Sequence, residues 1–285
     1  MNQILEREEY IEQAYFFRVF RERMLENLPA QEILNRLHEE ILTTTRLPMA
    51  IQFLATEIKH TGLLSSGFDR LGHYFTPFQT FMVKQSEQEN RRFSTLTALI
   101  VLEREAVYRS NNPTPAGLFV YQFETICRNR LGYDDGLRAM EMDPIFNDNW
   151  KDYFRTVRRS VGLFEFSELV YLRSENYVTN QKKNDATFVP SIAPLFGEKE
   201  GKIARASIGR DPLFLFAALQ RQLGYPEVPR PKQRDDESTK LDQMVQKVRE
   251  LETRLKLMEG EMRGNVDLSQ FGKPAILSDV DDLNI

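Results

Sequence analysis

Cysteine is nearly absent: Cys127 is the only one in 285 residues. One thiol excludes an internal disulfide framework and any zinc cluster built on several thiolates. Long hydrophobic runs are missing too. The most apolar stretches, Ala98 to Leu102 and Pro212 to Leu219, fall far short of the roughly 20 residues needed to cross a bilayer, so a membrane is not an expected partner. An excess of one charge is also lacking. With 38 Lys+Arg against 42 Asp+Glu the formal net charge is -4, without the basic surplus of a nucleic-acid-binding domain, so nucleic acid is not expected either. The opening MNQILEREEY is acidic where a secretory leader would be basic and then apolar, which reads as cytoplasmic.

Proline, by contrast, is placed with purpose. Pro29, Pro48, Pro77, Pro115, Pro144 and Pro212 each open a run with helical spacing. Proline at a first helical position gives up an N–H that had no partner anyway and presets φ. Thr76, Thr114, Asp143 and Asp211 stand immediately before four of them, where a side-chain oxygen can cap the helix. The chain therefore reads as all-α, a multi-helix globular domain over 1–224 followed by a C-terminal coiled-coil helix and a flexible tail. Helices are expected near 2–26, 29–45, 48–61, 64–74, 77–109, 115–131, 134–141, 144–160, 164–183 and 212–223. Trp150, Tyr153, Phe154 and Val157 share one helical face and read as core. Leu99 to Leu102 is apolar all round, the mark of a helix surrounded by others.

Two segments break this rhythm. Residues 184–210 hold Pro190, Pro194, Gly197, Gly201 and Gly209 without sustained periodicity, yet Phe188, Val189, Ile192, Leu195, Phe196 and Ile203 are too apolar for a solvated linker. They read as an irregular arm lying on the body or on a partner. Residues 225–236, with Pro226, Pro229 and Pro231, read as an extended linker.

The strongest motif follows, over 237–263. Leu241, Met244, Val248, Leu251, Leu255, Met258 and Met262 alternate spacings of three and four, the seam of a coiled coil. With Leu241 at position a, Val248 at a and Leu251 at d favour two strands. A parallel pairing sets Lys247 against Glu252 and Arg254 against Glu259, whereas an antiparallel one centred on the run sets like charges together. The oligomerisation residues are Leu241, Met244, Val248, Leu251, Leu255 and Met258, and a homodimer is the expected state. Residues 264–285, in which Asp279, Asp281 and Asp282 alternate with aliphatics, read as an acidic, disordered tail.

Candidates for chemistry are sparse. Glu57 and His60 sit one helical turn apart, half of the Glu-x-x-His arrangement that holds a metal in a helical bundle, but neither His38 nor His73 supplies the second half. Lys199, Lys202, Arg205 and Arg210 approach the start of the helix at Pro212, where free N–H groups attract anions. The residues 197–202 depart from the phosphate-loop pattern in spacing and final residue. No catalytic nucleophile stands out, and no cofactor is expected. The sequence thus points to a non-enzymatic helical adaptor or scaffold that self-associates and binds a protein partner. The alternatives are a metal-dependent helical enzyme or metal-binding protein around Glu57 and His60, and an anion or nucleotide binder through 197–210.

Overall fold

Caps decide where the helices of this protein begin. The computed structural model describes residues 4–88, 93–230, 244–249, 251–252 and 254–255. The chain divides after Pro231 into two units. In the first, the helices are α1 (Arg7–Leu25), α2 (Ala30–Leu37), α3 (Leu47–Thr61), α4 (Leu64–Arg70) and α5 (Pro77–Ser86). Then come α6 (Thr95–Ser110), α7 (Pro115–Arg128), α8 (Tyr133–Glu141) and α9 (Asp148–Ser160). The last four are α10 (Phe166–Leu172), α11 (Glu175–Asn184), α12 (Glu198–Ser207) and α13 (Pro212–Leu223). Among the described residues there is no strand, only two isolated bridges, so the first unit is all-helical.

Three of the four expected caps are in place. Thr76 accepts from the Gln79 N–H and the Gln79 side chain returns the bond, a capping box at the start of α5. Thr114 accepts from Gly117 N, and Asp211 from Leu213 N. Gly224 ends α13 in the left-handed conformation, with φ +66°. Asp143 is the exception. Its carboxylate is buried against Arg109 and also accepts from Ile145 N, so Pro144 lies in a turn and α9 starts later, capped by Asn147.

Other boundaries move for equally local reasons. The expected helix 77–109 is two helices, because Ser94 Oγ accepts from Thr97 N and opens α6 afresh. The expected helix 164–183 divides at Ser174, which caps α11 through Tyr177 N while the neighbouring Arg173 carbonyl accepts from Leu195 and Phe196. Residues 185–197 do run as an irregular arm, but 198–207, assigned to the same arm from sequence, form α12. Gly201 gave the misleading signal. A Cβ there would lie 2.2 Å from Ser174 Oγ, so glycine is present because α12 approaches the start of α11 closely.

The core follows from this arrangement. α1 lies along α6, α3 packs on α2 and α4, and α13 packs on α7 and α12. Phe16, Phe17, Phe68 and Phe75 form one aromatic group around α1 and α4, with Phe68 and Phe75 stacked at 4.0 Å between ring centres. Phe119 on α7 is the hub of another, within 6.1 Å of Trp150, Tyr153, Phe154, Phe166 and Phe196. The stripe read from sequence on α9 is this core, and Leu99, Val101 and Leu102 on α6 are buried as a central helix requires. Tyr225 and Val228 are buried as well, so the first residues of the expected linker pack onto the body. In the second unit, 244–249, 251, 252, 254 and 255 are helical.

Candidate functional site

The heptad helix carries the largest concentration of uncovered apolar side chains. Met244, Val248, Leu251 and Leu255 are 66%, 54%, 59% and 54% exposed, and Val245 beside them is 44% exposed. Spacings of four, three and four put the four seam residues on one stripe. Leu241 and Met258, the remaining oligomerisation candidates, and the expected tail 264–285 lie outside the described residues.

A second uncovered surface belongs to the body, and sequence reasoning missed it. Glu165 Oε2 accepts from Gly209 N at 2.8 Å, which brings the turn before α10 beside the turn before α13. Gly162, at φ +91°, makes the first of these turns possible. Two pairs flank the bond, Leu163-Phe164 and Leu213-Phe214, with Leu163 79% and Phe214 67% exposed. Ile208 is exposed next to them, as are Arg159 and Arg210. In the sequence, Phe164 and Leu213 look like any other apolar helix-end residues, and only the pairing of two distant turns makes them a patch.

The basic candidates do not converge. Lys199, Lys202 and Arg205 stand along α12, and Arg210 follows it. Lys202 Nζ is 3.3 Å from Glu198, and Arg205 lies over the Tyr171 ring, 6.0 Å from its centre. The Asp211 carboxylate already accepts from the first free N–H of α13.

Glu57 and His60 face different neighbours. The buried Glu57 carboxylate is 2.6 Å from Arg70 and accepts from Ser66 Oγ, both in α4, whereas His60 is exposed on the side of α2. Among the described residues, no group of three or more His, Cys, Asp and Glu side chains is gathered as a metal ion would need. Cys127 is sequestered, and burial pushes its thiol up to about 12, well above the range of a reactive thiolate.

The most heavily charged interior site is structural in form. Arg109, fully enclosed, bonds Asp143 and places two nitrogens 2.8 and 2.9 Å from Glu105 Oε1, which also accepts from Gln122. The same guanidinium lies over the Tyr10 ring. Two carboxylates thus share one guanidinium. Burial raises the Glu105 carboxyl above its ordinary range, with Arg109 pulling the other way, and the two carboxylates hold the Arg109 proton more firmly than usual against the opposing effect of burial. The cluster ties α6 to α1 and to the turn before α9. The chain matches no known family, no curated protein and no solved structure. No described helix is long and apolar enough to cross a membrane.

Proposed function

We propose that the protein is a non-enzymatic, cytoplasmic adaptor that pairs in parallel through 241–262 and offers its body to a protein partner. The observation that carries this reading is the seam itself: Met244, Val248, Leu251 and Leu255 lie on one stripe of a helix and are each more than half exposed. Four apolar side chains left in water on one stripe gain by pairing, at about 25 cal/mol per Å² of apolar surface removed from water. Valine at a and leucine at d favour two strands, and Lys247 against Glu252 of the second chain favours the parallel sense. The exposed Leu163, Phe164, Leu213 and Phe214, near two turns joined by one hydrogen bond, support the second half of the proposal, since exposed apolar side chains gathered on a surface mark contact sites. Joining two bodies raises the effective concentration at the second contact, so a weak individual site suffices.

Light scattering after size exclusion tests the pairing. The full chain should have the mass of a dimer at tens of micromolar, and the double variant Leu251→Asp, Leu255→Asp that of a monomer. A monomeric full chain at that concentration would remove the basis of the reading.

A further inference from the structure

Between α2 and α3 runs a groove lined by Asn35, His38, Gln52, Thr56, Lys59 and His60 among others, and no carboxylate lines it. Gln52, Thr56, Lys59 and His60 follow one another at roughly one-turn intervals, so they occupy one side of α3 over about 12 Å. Asn35 and His38 face them from the end of α2. The space between is about 390 Å³, the size of a small-molecule site rather than that of a bare ion.

The groove is lined by polar side chains with no carboxylate among them, and the Thr56 hydroxyl donates to the Gln52 backbone carbonyl. Lys59 and His60 are exposed without a carboxylate partner in hydrogen-bond or ion-pair contact. Of the nearby acids, Glu57 pairs with Arg70 and Glu32 with Arg36, and Glu39, next to His38, is exposed and does not line the groove. Nδ1 of His38 is buried with no hydrogen-bond partner. Lys59 and His60 also complement the C-terminal end of the α3 dipole. That role accounts for two basic residues in the last turn, and it leaves unexplained Gln52 and Thr56 beside them and Asn35 and His38 on the facing wall.

We propose that this groove binds a small phosphorylated ligand. The anionic end is held by a charge-assisted bond from Lys59 and a hydrogen bond from His60, and its hydroxyl groups by the Asn35, Gln52 and Thr56 side chains, with the His38 ring on the opposite wall. A phosphate ester with several hydroxyl groups, such as a sugar phosphate, has that chemistry. The site is separate from the seam and from the apolar patch, and its occupation does not depend on the adaptor reading.

The chain supplies its own reporters, because it has three histidines and His73 is not among the groove residues. Proton NMR of the full-length protein, titrated at fixed pH and ionic strength with ribose 5-phosphate, should move the His38 and His60 ring signals on one saturating curve and leave His73 in place. Inorganic phosphate should produce the same movement more weakly, and ribose alone none. Lys59→Ala and His60→Ala, both at exposed positions, should each weaken binding about tenfold, and Gln52→Glu, which adds a carboxylate to the wall, should abolish it. Equal movement of all three histidines, no movement, the same response to ribose as to its phosphate, or unchanged binding by the folded Gln52→Glu variant would each overturn the proposal.

Discussion

Helix α7 and the helix at 244–255 are both rich in apolar residues at helical spacing, and they end in opposite environments. On α7, Leu118, Phe119, Val120, Tyr121, Phe123 and Ile126 are all buried, the charges at Glu124 and Arg128 pair with each other, and α13, α8 and α6 surround them. On the second helix, Met244, Val248, Leu251 and Leu255 are uncovered. The difference is one of stripe width. A helix apolar on all sides is satisfied only by several neighbours, which the body supplies, whereas a two-position seam is narrow enough for one partner helix to close. One region is covered within a single chain, and the other leaves its described seam residues exposed.

The largest expected effect breaks the first side of this comparison. Phe119→Ala removes the ring that lies against six aromatic neighbours, Phe123 included, and should cost about 3–5 kcal/mol, measured by urea unfolding followed through the single tryptophan, Trp150, which lies in the same cluster. A loss below about 1 kcal/mol would mean that Phe119 is not a keystone of the core.

Arg109→Met is expected to come next. It strands Glu105 and Asp143 without their cation, and at neutral pH should destabilise the body by about 3 kcal/mol or more. The two stranded carboxyls would then have folded-state pKa values above those of the unfolded chain. The folded state takes up more protons, so the deficit should shrink as pH falls toward the ordinary carboxylate range. A deficit independent of pH would show that packing, not charge, is what Arg109 supplies.

The smallest effect is the sharpest test of the contrast. Leu251→Ala should leave the Trp150 unfolding midpoint of the body unchanged within about 0.5 kcal/mol, as expected for an exposed position, while weakening self-association in sedimentation or light scattering. A drop in the midpoint comparable to that of a core truncation would mean that the heptad helix stabilises its own body.

Much of the fold was legible because its determinants are local. Thr76, Thr114 and Asp211 announce their helices through the proline that follows, and Trp150, Tyr153 and Phe154 announce a core by spacing alone. The misreadings came from residues whose roles are set by distant partners. Asp143 looks like a cap and is a counter-ion for Arg109, 34 positions away. Gly201 looks like loop and is a point of helix contact with Ser174. The exposed stripe of Met244, Val248, Leu251 and Leu255 could be read because a heptad repeat is a property of consecutive residues, and the pairing it suggests stands as a proposal. Neither the apolar patch nor the α2–α3 groove could be read this way, since each brings together side chains from two elements that no periodicity links.

The way the chain leaves the body has a mechanical consequence. Tyr225 Oη donates to Glu124 and to the Phe216 carbonyl, Arg104 bonds the Glu227 carbonyl, and the Asn129 amide reaches the Pro229 carbonyl. These anchors lie on α6, α7 and α13 and just after α7. Tension entering through the C-terminal segment would therefore load several interior helices in shear, instead of peeling away the last helix turn by turn. A body fastened in this manner would meet a pull at its C-terminal end with several helices at once.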